Sequence, residues 1–361
     1  MRLLKLVVLV VLVLASASMP VAARPPAAAG PAFASIGPLA FGPGGVLFAA
    51  DRQAATIFAL NLGAQASGKV PGTKDIAGVD QQIASVLGTA ATDIAITDIA
   101  VHPASKNTFV SVMRGQAAEA KPALVRIDGA GTIDLVTLDA LTFTSVTLPN
   151  PANVSTTGRG GRASSVTDLA YVDGRLVVAG LSNEEFASKL WSVPYPFAAT
   201  DRGASVEIYH GNHGAMETRA PVMSFVPYGI NGQLNIIAGY TCTPLVKFPF
   251  STLKAGEKVV GTTIAEFGAG NQPLDMILYR KGGQDFILMS NSRHGVLKIA
   301  TTPFGSAAAI TTPVKGTGGV PFERVAAMTG VEQLDLLDAE RTIVISRGED
   351  GRRNLSAVIL P

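Results

Sequence analysis

A unit of three short strands, repeated along the chain, is the feature that most restricts the fold. Its clearest copy spans residues 273–300, where the apolar runs PLDMILY, DFILMSN and VLKIA are separated by turns at KGGQ and SRHG. Short apolar runs bounded by turn residues are typical of β-strands, and the glycines supply the positive φ angles that tight hairpins need. The copy therefore predicts an antiparallel meander.

Five further stretches follow the same order of strands and turns, and they occupy residues 38–62, 97–138, 167–197, 222–250 and 324–360. The copies begin about every 50 to 70 residues, against roughly 40 to 50 for a four-stranded propeller blade. Two inserts account for the excess. Residues 63–93 contain GVDQQIASVLGT, which predicts a short helix with Ile83, Val86 and Leu87 on one face. Residues 142–165 are rich in Thr, Asn, Pro and Gly and predict a long loop.

These repeats predict an all-β fold, a six-bladed β-propeller, with seven blades as the alternative if an insert hides a degenerate blade. A β-sandwich would not repeat the same order so often, and an α/β fold would need helices between the strands. The last copy ends after its third strand, and residues 32–36 form an apolar segment outside any copy. We expect this N-terminal strand to pair with the last blade and close the ring.

The N-terminus has the pattern of a secretory signal peptide. Arg2 and Lys5 precede an apolar run at residues 6–14, and small residues lead to a cleavage motif at residues 21–23. That run is shorter than the ~20 residues that span a bilayer. We expect a signal peptide at residues 1–23, a flexible leader at 24–31 and a single propeller domain at 32–361. The protein would then be periplasmic or secreted, without a membrane span after cleavage.

Charge argues against one class of function, and the cysteine content excludes a disulfide within the chain. Removing Arg2 and Lys5 leaves equal numbers of basic and acidic residues, because the whole chain has 29 Lys and Arg and 27 Asp and Glu. A neutral chain lacks the basic footprint that nucleic-acid binding needs, so no nucleic-acid partner is expected. Cys242 is the single cysteine, so no disulfide can form within the chain.

The repeated units resemble exported bacterial propellers of the NHL, SMP-30/gluconolactonase-like and YVTN types. The likeness covers most of the chain after the leader. The stretch PLDMILYRKGGQDFILMSN is similar to the strand pair that gluconolactonase-type proteins begin with Pro-Asp-Gly-Met, although Asp275 is displaced by one position and the Gly is missing. No unit ends in Trp-Asp, and Trp191 is the single tryptophan, so WD-repeat and quinoprotein propellers are not indicated. The resemblance implies ligand binding at the mouth of a central channel.

Three carboxylates open predicted inner strands, namely Asp98, Asp168 and Asp275. At one register they would converge on the channel mouth, where a ring of carboxylates suits a divalent cation such as Ca²⁺ or Mg²⁺. Aspartates before strands also bond to nearby backbone amides and cap turns, which is the structural interpretation of the same pattern.

Polar side chains end the predicted second strands and form the candidate ligand-binding set. The set consists of Arg52, Arg114, Asn183, Glu184, Tyr240, Asn291, Arg293, His294 and Arg347. Its four arginines could hold an anionic ligand by bidentate contacts. Equally, they could pair with the three aspartates and lock neighbouring blades together.

A third feature is the segment HGNHGAME, in which His210, His213 and Glu217 are candidate metal ligands. The segment joins the outer strand of one blade to the inner strand of the next. It must therefore cross from rim to centre, on the face that also carries Asp168 and Asn183. If it binds a metal, Asp168 or Cys242 is the next ligand we expect.

The sequence leaves three functions open. The first is a binding module for a small molecule or protein at the channel-mouth face. The second is a metal-dependent lactonase or esterase-type hydrolase, with a divalent cation as cofactor. The third is a periplasmic docking partner of a redox enzyme. No Gly-x-Ser-x-Gly elbow or phosphate-binding Gly loop appears in the sequence.

Overall fold

A computed structural model describes residues 30–68, 75–116, 119–154, 161–242 and 244–361. The predicted signal peptide and most of the leader lie outside these residues. Within them the strands form six sheets arranged as blades of a ring, which confirms the six-bladed β-propeller. None of the helices in these ranges is both long and apolar enough to cross a membrane.

The blades are numbered by the position of their first strand in the chain. Blade 1 contains β1 Leu39–Phe41, β2 Leu47–Asp51, β3 Thr56–Asn61 and β8 Thr142–Thr147. Blade 2 contains β4 Ile94–Val101, β5 Thr108–Arg114, β6 Lys121–Ile127 and β7 Ile133–Leu135. Blade 3 contains β9 Asp168–Val172, β10 Arg175–Leu181, β11 Ser188–Pro194, β12 Ala204–His210 and β13 Ala215–Glu217, with β17 Lys258–Val260 parallel to β12.

The last three blades follow in chain order. Blade 4 contains β14 Val222–Ile230, β15 Gln233–Tyr240, β16 Pro244–Pro249, β18 Thr262–Phe267 and β22 Thr317–Gly319. Blade 5 contains β19 Pro273–Lys281, β20 Gln284–Asn291, β21 Gly295–Ala300 and β23 Glu323–Arg324. Blade 6 contains β24 Val331–Leu336, β25 Arg341–Arg347 and β26 Arg353–Ile359.

The predicted helix in the first insert is present as α1 Val79–Val86. Ile83 and Leu87 are buried as expected, but Val86 is 43% exposed, because the buried face of the helix is formed by Val79, Asp80, Ile83 and Ala84 and Val86 lies off that face. The second insert is not only a loop. It begins with β8, whose pairing with β3 completes blade 1.

Blade 2 is inserted between the third and fourth strands of blade 1. Six buried apolar clusters each join two blades, and they give the ring order 2–1–3–4–5–6, with blade 6 meeting blade 2. The chain leaves blade 1 after β3, builds blade 2 on one side, and returns with β8. It then continues to blade 3 on the other side of blade 1.

The expected closure of the ring by residues 32–36 is wrong. These residues form no strand, and the N–H groups of Ala34 and Ser35 donate to Asp51 of blade 1 over 2.6 and 3.2 Å. Blade 6 instead pairs with Ile76, whose N–H and C=O bond to Leu355 over 2.8 and 2.9 Å. The reason is the ring order. Blade 6 neighbours blade 2, so the segment crossing toward blade 2 reaches it and the N-terminal segment does not.

The inner strands β1, β4, β9, β14, β19 and β24 surround the central channel. We call "mouth face" the side carrying the connections into these strands and those joining second to third strands. The opposite side, with the turns between first and second strands, is the "hairpin face". Because each blade starts at the mouth face, side chains at the start of an inner strand and at the end of a second strand meet there.

Candidate functional site

The central channel contains a cavity of about 930 Å³. Its lining runs from Asp98, Asp168 and Asp275 down to hairpin residues such as Pro43 and Pro103. Above the carboxylates the channel narrows to a space of about 40 Å³. The wide part of the channel therefore extends toward the hairpin face, whereas we expected ligand binding at the mouth face.

The three predicted carboxylates do converge on the channel, and each bonds to the inner strand of a neighbouring blade. Asp98 accepts the N–H of Leu39 over 2.6 Å. Asp168 accepts the N–H of Phe225 over 2.7 Å, and Asp275 that of Leu334 over 2.8 Å. In each aspartate the other oxygen accepts the N–H of the following residue.

Asp335 is a fourth member that our sequence interpretation missed. It accepts the N–H of Val101 over 2.6 Å and so joins blade 6 to blade 2. The sequence signal was the carboxylate two positions after Gln333 in VEQLDL, because Gln333 occupies the register that an aspartate holds in blades 2, 3 and 5. These contacts fit the structural interpretation, in which the aspartates bind backbone amides.

The electrostatics of this ring follow from burial. Burial raises the pKa of Asp98 and of Asp275 well above the usual range, and the neighbouring carboxylates raise it further. Burial also raises the pKa of Asp168 to about 7 and that of Asp335 to about 6, although backbone amides act against it. The ring is therefore partly protonated near neutral pH.

The structure separates the candidate arginines of the mouth face. Three of them bond to loop carbonyls: Arg52 to Ala163 over 2.7 Å, Arg114 to Leu87 over 2.9 Å and Arg293 to Ala269 over 3.2 Å. Arg347 pairs with Glu332 over 2.8 Å. None of the four forms an ion pair with an aspartate of the ring among the described residues.

Asn183, Asn291 and His294 also have local partners, whereas Tyr240 is simply buried. The N–H of Asn183 donates to Asn150, and Tyr240 is 1% exposed. Asn291 accepts the N–H groups of Arg293 and His294 and so caps their turn, while His294 Nε2 lies 2.8 Å from the carbonyl of Phe267.

Glu184 is held by three polar neighbours. Burial opposes its ionisation, but hydrogen bonds from Lys189, Asn150 and Arg202 outweigh this and lower its pKa to about 2. The candidate ligand-binding set thus does not form one cluster.

The segment with two histidines does bring its titratable side chains together. His210 ends β12, Glu217 ends β13, and His213 lies in the turn between them. Nδ1 of His210 lies 2.9 Å from one oxygen of Glu217, and Nδ1 of His213 lies 2.5 Å from the other. In the part of the chain that the structure describes, these three residues are the one group of His, Cys, Asp or Glu that could hold a metal, with ligand atoms within 4.8 Å of one another.

Glu266 of β18 fixes the turn that carries these residues. Its fully buried carboxylate accepts the N–H of Gly211 over 2.5 Å and the side-chain amide of Asn212 over 2.7 Å. Burial acts to lower the pKa of His210, but Glu217 and Glu266 outweigh it and raise that pKa. Burial likewise acts to raise the pKa of Glu217, and the two histidines lower it on balance.

A cavity of about 730 Å³, the mouth-face pocket, lies beside this turn. His213, Glu217, Arg219, Cys242 and Asn271 contribute its polar wall. Leu181 at the end of β10 and Met223 at the start of β14 also line it, and its other lining residues belong to connections into inner strands or between second and third strands of blades 3, 4 and 5. The turn therefore lies on the mouth face, on the side that its topology predicts.

The sequence interpretation did not identify Arg219 and Asn271 as site residues. Arg219 lies two residues after Glu217, so the sequence alone could have placed it near the candidate metal ligands. Asn271 reaches the pocket from blade 5, and its backbone carbonyl accepts the N–H of Cys242 over 2.6 Å. This contact joins residues of two blades that no local pattern relates.

No family model matches the sequence, and no curated protein matches it either. Solved structures of similar fold include a Thermus thermophilus oxidoreductase described as a glucose dehydrogenase, with 14% identity, TM-score 0.36, and coverage of 92% of this chain and 98% of that one. A PQQ-bound aldose sugar dehydrogenase from Streptomyces coelicolor has 14% identity and TM-score 0.34, covering 92% and 96%.

A protein assigned as a gluconolactonase has 10% identity and TM-score 0.34, covering 91% of this chain and 89% of its own. Likenesses at this level carry no argument about activity. The fold and the site by themselves define the class: a six-bladed β-propeller with an inserted second blade and a polar pocket on its mouth face.

Proposed function

We propose that the chain is an exported propeller that binds a small polar molecule in the mouth-face pocket. One observation carries this: a cavity of about 730 Å³ in which an imidazole, a carboxylate, a guanidinium and a thiol meet between three blades. Small-molecule sites occupy roughly 300 to 1,000 Å³ and combine an apolar wall with a few convergent polar groups. Leu181, Pro221 and Met223 supply apolar wall here.

The charges in the pocket favour a ligand with an anionic group. Arg219 is exposed, lines the pocket and forms no ion pair among the described residues. Its guanidinium can bind a carboxylate with two parallel hydrogen bonds. Glu217 is already held by two histidines, so its charge competes little with such a ligand.

Cys242 provides the test, because it is the single cysteine and lines the pocket. A thiol reagent would be added to the protein with a panel of sugar acids, lactones, amino acids and short carboxylic acids. We expect one carboxylate-bearing class to slow the labelling of Cys242 and to raise the melting temperature. Arg219→Gln should weaken that protection by at least roughly tenfold, as expected for the loss of a charged hydrogen bond.

Arg280→Gln is the matched control, since Arg280 is an exposed arginine at the hairpin end of β19. Unchanged labelling with every compound would contradict the proposal, as would equal protection in Arg219→Gln and Arg280→Gln. Export has its own test, in which the N-terminus of the secreted or periplasmic protein is sequenced. A start near residue 24 is the expected result.

A metal-dependent lactonase built on Asp98, Asp168 and Asp275 has less support. Each of these carboxylates already accepts two backbone N–H groups, which leaves fewer lone pairs for an ion. In the described part of the chain, these three are also not among the groups of side chains placed to hold a metal.

A further inference from the structure

We propose that His210, His213 and Glu217 form a three-ligand site for a divalent transition metal of the zinc type, at the wall of the mouth-face pocket. The ion would lie in the wall of the proposed pocket. The side chains that would bind it belong to the chain itself, whichever organic ligand the pocket takes.

The donor atoms are already close to the spacing that zinc requires. Zn–N and Zn–O bonds of about 2.0 to 2.1 Å in a tetrahedron place neighbouring donors about 3.4 Å apart. Nδ1 of His210 lies 2.9 Å from one oxygen of Glu217 and Nδ1 of His213 lies 2.5 Å from the other, and the two imidazole rings are tilted by 34° with centroids 3.8 Å apart. One donor atom from each of the three residues lies within 4.8 Å of the other two. Bringing donor atoms that are up to 4.8 Å apart to the tetrahedral spacing takes a shift of at most about 1.4 Å, and the ion would then replace the hydrogen-bonding protons.

The buried ring nitrogen of His210 favours the metal-bound state. The His210 side chain is 1% exposed, and its Nε2 has no hydrogen-bond partner within 3.5 Å among the described residues. The backbone carbonyl of Cys242 is nevertheless near enough to act on His210. If Nδ1 binds a metal, Nε2 carries the proton and can donate toward that carbonyl, which is the usual outer contact of a metal-binding histidine.

Without a metal, a neutral His210 would donate from Nδ1 to Glu217. The lone pair of its buried Nε2 would then face the Cys242 carbonyl, which cannot donate a hydrogen bond to it. The negative charge around His210 also favours a bound metal ion. The carboxylates of Glu217 and Glu266 both act on His210, and no lysine or arginine pairs with either one in the described part of the chain. A divalent cation would compensate them.

The arrangement suits zinc better than calcium or magnesium. Two of the three donors are imidazole nitrogens, whereas Ca²⁺ and Mg²⁺ take oxygen ligands. His213 and Glu217 also line the mouth-face pocket, with side chains 46% and 23% exposed. A three-ligand zinc site open on one side leaves a coordination position for water or for an oxygen of a bound ligand.

The test uses the untagged full-length chain, stripped with a chelator and then titrated with Zn²⁺ by calorimetry, with the bound metal measured by mass spectrometry. We expect one zinc per chain, no competition from Ca²⁺ or Mg²⁺, and a higher melting temperature. His213→Gln and Glu217→Gln should each weaken binding by at least roughly 100-fold, since even outer-shell partners contribute about 10- to 100-fold.

His102→Gln and Glu340→Gln make the same changes away from the site and should bind zinc like the wild type. Circular dichroism and the fluorescence of buried Trp191 would verify that each variant is folded. Absence of zinc from the folded wild type would overturn the proposal, as would undiminished binding in the folded His213→Gln/Glu217→Gln double variant. No organic ligand is present, so this result is independent of the Cys242 labelling test.

Discussion

Replacing Asp168 with Asn should change how the stability of the propeller depends on pH. Asp168 lines the channel and joins blade 3 to blade 4 through the N–H of Phe225. Burial raises its pKa from 3.8 to about 7. In the folded protein it therefore keeps a proton that the unfolded chain releases near pH 4. The free energy of unfolding should fall as the pH rises from about 4 to about 7, and level off above the folded pKa.

The size of this change in the free energy of unfolding follows from the pKa shift of Asp168. Each pKa unit corresponds to about 1.4 kcal/mol, so the full change from Asp168 is about 4 kcal/mol, of which about 2 kcal/mol falls between pH 5 and pH 7. Asp98, Asp275 and Asp335 also have raised pKa values and act in the same direction. Over this pH range the free energy of unfolding of the wild type should therefore fall by more than Asp168 alone accounts for.

The assay is urea unfolding at pH 5, 6, 7 and 8, followed by the fluorescence of Trp191, the single tryptophan, which is 1% exposed. Asp168→Asn should show a pH dependence shallower by about 2 kcal/mol between pH 5 and 7. It should also be less stable than the wild type at pH 5 by about 1 to 3 kcal/mol, because an amide cannot accept both backbone N–H groups.

Asp139→Asn, the same change at an exposed position, is the control and should keep the wild-type slope. Stability that rises from pH 5 to pH 8 in the wild type would refute the reasoning. An unaltered slope in Asp168→Asn would refute the role of this residue.

Three further predictions concern the ring. Ile76→Pro should be less stable than Ile76→Ala by about 1 to 3 kcal/mol in urea unfolding, because proline removes the N–H that bonds to Leu355; equal stabilities would mean that this bridge does not close the ring. Leu355→Ala should cost about 2 to 5 kcal/mol by the same measurement, since the side chain is fully buried between blades 6 and 2, and a cost below 1 kcal/mol would contradict that packing. Gly180→Ala should lower the melting temperature and cost roughly 1 to 3 kcal/mol of stability, because a Cβ there would lie 2.1 Å from the carbonyl oxygen of Ser165. An unchanged melting temperature would show that the loop containing Ser165 can move away.

Local sequence patterns were enough to predict much of the fold and part of the candidate site. The alternation of apolar runs and glycine turns identified the inner hairpin strands of all six blades, because hairpin pairing depends on neighbouring residues, but it missed β8, the outer strand of blade 1. The predicted position of Asp98, Asp168 and Asp275 at the start of inner strands was enough to bring them to the channel, although Asp98 lies in the middle of β4. His210, His213 and Glu217 were found together because a short turn limits how far they can separate.

Other features depended on contacts between distant segments. The sequence did not reveal that Asp335 belongs to the aspartate ring, nor that Glu266 anchors the turn from a different blade. The candidate arginines were placed on one face by topology, but their partners are loop carbonyls whose positions depend on how neighbouring blades pack. Ala163 and Leu87, which accept bonds from Arg52 and Arg114, lie in the two inserts that the repeats did not explain.

The amino-acid sequence by itself determined that the chain forms strands in six repeated units, since strand and turn formation depend on residue type and on period. It could not determine the order of the blades around the ring. That order follows from which apolar faces match, and only in the folded state do residues as far apart as Ile76 and Leu355 meet. The same packing decided that the wide part of the channel extends toward the hairpin face, and that a polar pocket forms where blades 3, 4 and 5 come together.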